Sequence, residues 1–358
     1  MYEQYTLQDP VSERKIIVSV SREFTMKKSI AFIHTLVTAT ALALAVAAPL
    51  QAEQVLRFGT GGSDGSYFPI GSLIAGQINK LFDGCCGSDR LLLLPQRSNG
   101  SVSNIKEISS DLLDLGLAQA DIVSLAYQGI GQFDGDDLKD ELRTIGTLFQ
   151  ESVHLVVGVH SGIDSVKDLV GKLVSVDELG SGTQFDVELI LKASDISSDQ
   201  VKPVYLKPTE SMERMRRGQL DAIFVVSAYP VAGVKQLVED GIGRVIGLGD
   251  ELVKQLASEQ LYFSSQSIPA NVYSNNEEIS TLSVSAQMIV SSEIEPDTVY
   301  DITRTLWSDS TLAALAEGHI RGGEIVAGKA LQGVGIPIHE GALRYYREQG
   351  YNLSDVPK

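Results

Sequence analysis

Cysteine is almost absent from this chain. Its 358 residues hold only Cys85 and Cys86, adjacent to one another. Zinc takes about four ligands, and two thiols with no further Cys or His near them in sequence make a poor metal site. A strained vicinal disulfide between Cys85 and Cys86 and a pair of free thiols both remain open. Histidine is scarce as well. There are five, and His34 lies in an N-terminal apolar segment, which leaves His154, His160, His319 and His339. There is no H-E-x-x-H and no Cys/His cluster, so no metal is expected. There is no G-x-S-x-G elbow either: Gly180, Ser181 and Gly182 come nearest and lack the spacing. No Ser/His/Asp set has sequence support, which leaves no candidate catalytic residues. Basic residues are outnumbered, 29 Lys and Arg against 46 Asp and Glu, for a net charge of −17. That balance excludes nucleic acid as an expected partner, because phosphate binding needs clustered Lys and Arg.

Long apolar runs are missing too, with one exception. Residues 26–52 read MKKSIAFIHTLVTATALALAVAAPLQA. Lys27 and Lys28 form a basic start, an apolar run extends through Val46, and Pro49 and Ala52 follow. This is the pattern of a secretory signal peptide, cleaved near Ala52. His34, Thr35, Thr38 and Thr40 interrupt the run, and its unbroken part is shorter than the roughly 20 residues a membrane span needs. Residues 1–25 precede this start and read as a mis-assigned beginning outside the fold. The expected location of the mature chain is the periplasm.

What the chain does have is a recurring unit of strand, polar loop and helix. The first is Leu56 to Gly71, LRFGTGGSDGSYFPIG, a strand, a glycine-rich turn and a helix start. Glycines let a backbone turn tightly and approach a ligand. LLLLP at 91–95 leads through Ser98, Asn99, Gly100 and Ser101 into a second helix. DLGLA at 114–118 leads through Gln119 and Asp121 into a third. Strand–helix alternation implies parallel sheets with helices on both faces. Two strand-like runs follow, 142–150 and 154–159, and then the logic repeats. SVKDLVGK is expected as a helix and LVSVD at 173–177 as a strand. Ser181, Gly182 and Thr183 precede another helix, and DAIFVV at 221–226 runs into Ser227 and Tyr229. The fold class is therefore α/β in two lobes, each a mainly parallel sheet flanked by helices. The first lobe takes 53–150 and the return segment 266–358 with its C-terminal helices, the second 151–265. A chain that crosses between lobes twice leaves a cleft there, where small ligands bind.

Ligands of parallel sheets sit beyond the C-terminal ends of the strands. The loops at 60–66, 97–101, 119–121, 181–183 and 227–230 all lie at such ends. Helix N-termini favour carboxylates there by some tenths to about 1 kcal/mol each. Arg97 is placed either to grip a carboxylate or as a solvated surface cation. Asp121 is placed to bind an ammonium group or to cap its helix. Tyr67 and Tyr229 are placed to cover a ligand or to pack between lobes. GTGGSDG has Asp64 where a dinucleotide fingerprint needs its third glycine, and no P-loop Lys follows. No cofactor is expected.

The motifs GTGGSDGSYFPIG, QRSNGSVSNI, LGLAQAD, HLVVGVHSGIDSVKDLVGKLVSVDELGSGT, GQLDAIFVVSAYP, SIPANVY and GIPIHEGALRYYREQGY resemble, in this order, the TAXI group of solute receptors. These serve tripartite ATP-independent periplasmic (TRAP) transporters. The resemblance spans about Leu56 to Gly350 and implies a type II-like periplasmic binding fold that closes on its ligand. It implies TRAP permease membrane subunits as partners and a small carboxylate as ligand, such as glutamate or 2-oxoglutarate. Carried onto this sequence, the ligand-binding residues would be Gly61, Gly62, Ser66, Tyr67, Ser98, Asn99, Gly100, Ser101, Gln119, Asp121, Ser181, Gly182, Thr183, Ser227 and Tyr229. The short loop FDGCCGSD departs from the family pattern. A periplasmic enzyme on the same scaffold, or a sensor for a membrane receptor, stands as the alternative.

Overall fold

A computed structural model describes residues 2–8, 15–21, 54–63, 65–82, 91–136, 138–260, 262–354 and 356–357. The expected signal segment, 26–52, and the Cys85–Cys86 pair lie outside the described residues. The chain forms two compact units, 1–52 and 53–358. In the first, β1 (Tyr2–Gln8) pairs antiparallel with β2 (Lys15–Ser21). Among the described residues no helix is long and apolar enough to cross a membrane.

The second unit carries the α/β fold. It opens with β3 (Gln54–Gly59), α1 (Tyr67–Phe82), β4 (Leu91–Gln96), α2 (Ser101–Ser109), β5 (Leu115–Gln119) and α3 (Ala120–Gln128). Then come β6 (Leu142–Gly158), β7 (Leu173–Ser175), α4 (Gly182–Ala193), β8 (Lys202–Val204), α5 (Pro208–Arg216), β9 (Ala222–Ser227) and α6 (Ala232–Glu239). β10 (Gly243–Ile246), α7 (Asp250–Glu259), β11 (Phe263–Ile268) and β12 (Ile279–Ser291) follow, and α8 (Pro296–Leu306), α9 (Asp309–Gly318) and α10 (Glu340–Glu348) close the chain.

The strands form one sheet in the order β4-β3-β5-β12-β6-β9-β7-β8, with β10 on β6 and β11 on β12. β3 pairs parallel with β4 and β5, and β7 pairs parallel with β8 and β9. These are the parallel cores of the two lobes. Between them run β6 and β12, antiparallel to each other from Leu142–Ser291 to Ser152–Ser283. β12 pairs with β5 through 286–290 and with β11 through 279–284, while the later half of β6 pairs with β9 and β10. Each of the two strands thus spends half its length in each lobe.

Three elements differ from the sequence reading. The two runs at 142–150 and 154–159 are one strand, because Glu151 and Ser152, polar residues that suggest a break, are buried and continue the ladder. SVKDLVGK gives only a 3-10 turn, Val166–Leu169, closed by a Ser165–Asp168 capping box. Ile268, Tyr273 and Ile279 pack with Val156, Met212 and Val234 of the second lobe, and Leu282 and Val284 with Leu155 and Phe224. Packing of the second lobe therefore runs on to about 284, along β12, beyond the expected boundary at 265.

The C-terminal helices seal the outer face of the first lobe. Tyr346 is fully buried; its hydroxyl donates to the Ile145 carbonyl at 2.9 Å and accepts from Trp307 Nε1 at 2.8 Å. The first bond fixes α10 to β6 and the second to the end of α8. Tyr346→Phe keeps the ring and orphans both partners, a cost of about 1–3 kcal/mol. Urea unfolding of the variant should show the midpoint falling with the slope unchanged.

Candidate functional site

A cavity of about 220 Å³ lies where the strand ends of the two lobes meet. The first lobe lines it with Gly61, Gly62, Ser63, Gly65, Ser66 and Tyr67 after β3, with Arg97 to Ser101 after β4, and with Gln119 at the end of β5. The second lobe contributes Asp177, Glu178, Ser181, Gly182 and Thr183 after β7, Lys207 and Pro208 before α5, and Val225, Val226 and Ser227 at the end of β9. Glu151 enters from β6. Of the residues expected from the sequence, all but Asp121 and Tyr229 line this cavity.

Buried polar contacts hold the corners in place. The Thr60 N–H and hydroxyl both donate to the Gln96 carbonyl, at 2.9 and 2.6 Å. The fully buried Asn104 donates to the carbonyls of Thr60 and Leu117, each at 2.7 Å, and so ties the first corner to β5. Gly100 precedes α2 with φ 105°, a backbone conformation that costs a side-chain-bearing residue dearly. Ser181 caps α4, its hydroxyl accepting from the Gln184 N–H at 3.2 Å.

The lobes touch across the cavity. The Ser66 and Ser227 hydroxyl oxygens are 2.9 Å apart. The N–H groups of Val102 and Ser103 both donate to the Gly180 carbonyl, at 3.1 and 3.2 Å. The start of α2, expected to face a ligand, therefore gives two of its free N–H groups to the opposite lobe. Asn99 adds a bond to the Leu179 carbonyl at 3.2 Å. At Gly182 a Cβ would fall 1.3 Å from Gln119 Oε1, so only glycine admits this approach without displacing Gln119.

Two expectations are corrected. Asp121 neither lines the cavity nor caps α3. Gln119 holds the cap position without a side-chain bond, and Asp121 is the second helical residue, fully buried and facing Asp186 of the other lobe. Tyr229 lies off the cavity, with the Arg321 guanidinium 4.3 Å over its ring and Gln266 donating to its hydroxyl at 3.4 Å. Arg97 lines the cavity, its guanidinium 4.8 Å over the Phe68 ring.

The acids in the wall were not foreseen. Glu151 is 3% exposed and accepts from the Tyr67 hydroxyl at 2.8 Å. Burial pushes its carboxyl up to about 8, against the pull of the Tyr67 bond and with the nearby Asp121 adding to the rise. Asp177, held in a left-handed turn at φ 70°, is pushed up to about 6 by burial, offset by bonds from Glu178 N–H and Thr183. Glu178 pairs loosely with Lys207 at 3.8 Å. One sequence signal for Glu151 was available: it is a lone charge inside an apolar strand run. Asp177 stands at a strand C-terminus, where the ligand rule already pointed. Among the described residues no three metal-ligating side chains come together.

Residues 58–350 match a protein-family description, NMT1-like. The chain belongs to the NMT1-like family. Its fold is mixed α/β, a central sheet flanked by helices. A protein of Bordetella bronchiseptica is 14% identical with a TM-score of 0.52, over 85% of this chain and 92% of that one. The alkanesulfonate-binding protein of Xanthomonas axonopodis pv. citri, solved with MOPS, is 18% identical with a TM-score of 0.45, over 74% and 80%. The periplasmic aliphatic sulphonate binding protein of Escherichia coli is 16% identical with a TM-score of 0.42, over 75% and 79%. At these identities the likeness is one of fold.

Burial of Glu151 predicts that the stability of this NMT1-like chain falls as pH rises. Its folded value stands above the ordinary glutamate value of 4.5. Between about 4.5 and about 8 the folded state therefore binds more protons than the unfolded one, and stability falls as pH rises through that window. Glu151→Gln keeps an acceptor for Tyr67 and removes the ionisation. Thermal melts of the ligand-free protein at pH 5 and pH 8 should show a smaller drop in the variant, by on the order of a few kcal/mol at pH 8. An unchanged drop would place the pH sensitivity elsewhere.

Proposed function

We propose that this chain is an extracytoplasmic solute receptor, not an enzyme, which closes on a small carboxylate-bearing molecule and delivers it to a membrane transporter. The observation that carries the reading is the cavity itself. Loop–helix corners from both lobes line it with small polar groups, and the lining residues hold no Ser, Cys or Lys nucleophile paired with a histidine base. Binding and closure are what such a site can do. The two-lobe architecture and the NMT1-like membership support the same conclusion, and the signal-like segment at 26–52 supports export to the periplasm.

The lining supports a ligand of mixed charge. Arg97 and Lys207 stand on one side of the balance, Asp177 and Glu178 on the other, with Glu151 largely protonated between them. A plain dicarboxylate would meet those acids; an acidic amino acid such as glutamate satisfies both signs. The partner in this reading is a TRAP permease, on the strength of the TAXI-like motifs. Because proteins of similar fold bear sulfonate-binding names, sulfonates belong in any ligand panel.

Thermal-shift measurements on residues 53–358 with dicarboxylates, 2-oxo acids, amino acids and alkanesulfonates test the ligand. One carboxylate class should stabilise the protein, by about 2.7 kcal/mol at a hundred times its Kd. A response to alkanesulfonates alone, or to nothing in the panel, would remove the carboxylate reading. Ser181→Ala and Thr183→Ala should each weaken binding about 2- to 12-fold, the loss of one hydrogen bond. Recovery of a chemically altered ligand would make the protein an enzyme, and a multi-span permease encoded beside its gene would favour delivery.

A further inference from the structure

Behind the cavity, two carboxyl groups from opposite lobes are buried against each other. Asp121 projects from the first turn of α3 in the first lobe, and Asp186 from α4 in the second. Both residues are completely buried. The two carboxyls lie within hydrogen-bonding reach of one another. Gln119 Nε2 donates to Asp186 Oδ2 at 2.8 Å. Beyond Asp186, the Asp121 carboxyl meets only the backbone N–H groups of its own helix turn, at Asp121 and Ile122. The remaining groups that face the pair are Glu151 on β6, Tyr67 on α1 and Tyr262 before β11, and none is a cation.

Two buried carboxylates facing each other do not both stay ionised, because like charges repel and, among the described residues, no cation faces the pair. One shared proton resolves this: it gives an O–H donor to the facing carboxylate. The burial belongs to the closed arrangement. Ala120, beside Asp121, packs into the core of the second lobe, and Phe185, beside Asp186, packs onto the core of the first. Parting the lobes uncovers both neighbours and separates the acids.

We infer that closure of the two lobes takes up one proton, held between Asp121 and Asp186, so that low pH favours the closed receptor and high pH opens it. The inference rests on reading the cavity as a closing cleft, but not on the identity of the ligand. Its chemistry is that of a coupled carboxyl pair: the macroscopic titration belongs to both groups together. Burial raises Asp121 to about 6 and Asp186 well above its ordinary range. The sign follows: the closed form carries the proton, so closure weakens as pH rises through the values of the pair.

The test needs no ligand. Ser66→Cys and Ser227→Cys, at hydroxyls 2.9 Å apart across the cleft, lock the lobes with a disulfide in a chain carrying Cys85→Ser and Cys86→Ser. Infrared spectra with isotope-labelled aspartate then report aspartic carboxyls alone, free of Glu151. The locked protein should show one protonated aspartic acid at pH 7, absent from the Asp121→Asn, Asp186→Asn double variant. In the unlocked protein, spin labels on the two lobes should move apart as pH rises from 6 to 9, and in Asp121→Asn the distance should lose that pH dependence. Glu151→Gln should retain it, which separates this pair from the glutamate. No protonated aspartic acid in the locked form would overturn the inference. So would an opening curve unchanged in both Asn variants, or a proton displaced by sodium but not by potassium, which would make the pair a cation site. Failure of every carboxylate in the ligand panel would leave these spectra unaffected, so the two readings fail separately.

Discussion

Everything about the cleft depends on the antiparallel pairing of β6 with β12. Without it the chain would be two small α/β sheets on a tether. With it the lobes share one sheet, and among the described residues the backbone that passes between them is a ribbon of two strands. A ribbon resists stretching and slipping, because each residue of slip would turn the side chains of Val153, Leu155, Met288 and Val290 from one face to the other. It resists bending and twisting far less. The allowed motion is therefore rotation of one lobe against the other, about the residues where the two strands change partners, near Phe149–Ser152 and Ser283–Ala286.

Glu151 sits on that axis. A buried acid in a hinge strand would be a liability if it had to remain ionised, and the Tyr67 hydroxyl gives it only one donor. Its raised proton affinity makes it an uncharged or barely charged group near neutral pH, compatible with the strands around it. The cavity it faces is neither a basic funnel nor an apolar slot. The charged groups of both signs arrive on different lobes and different corners, so their mutual arrangement depends on how far the lobes have turned. In the proposed receptor, recognition and closure are one process: a ligand that bridges the corners would favour the geometry that brings Ser66 to Ser227 and Gly180 to the start of α2.

The local parts of this design were readable in the sequence. A glycine-rich turn after an apolar run, followed by a helical period, places a loop at a strand end whatever the rest of the chain does. That is why 60–66, 97–101 and 181–183 could be named without coordinates. Side chains whose role is set by a distant partner could not. Asp121 looked like a cap because it stands at a helix start; only the arrival of Asp186 from 65 residues further along makes it half of a pair. Tyr229 looked like a lid because it follows a strand, and Arg321, in a segment with no pattern of its own, draws it away. The break assumed at Glu151 came from reading polarity as exposure, which fails where a buried acid has a buried donor. β11, FSSQSI, was passed over for a related reason: its two buried ends enclose polar residues, and it is a strand only because β12 offers it an edge.

The lobe contacts also narrow how a carboxylate would sit. Val102 and Ser103 spend their N–H groups on Gly180, so the start of α2 contributes less to an anion than a free helix end would. Donors toward the cavity come from both lobes: Gly61, Gly62 and Arg97 on the first, Gly182, Thr183 and Lys207 on the second. An anion held by both closes the cleft; one held by the first alone does not. Gly182 lets α4 come close enough for this, since any side chain there would strike Gln119, the residue that also donates to Asp186. Gln119 thereby links the cavity to the buried acids behind it. On this arrangement a ligand draws α4 inward, α4 carries Asp186 against Asp121, and the cost of burying two acids together falls on the same movement that captures the ligand. On the inferred coupling, a receptor built this way binds more tightly at low pH, with the ionisation of the ligand and of Glu151 and Asp177 adding to that dependence.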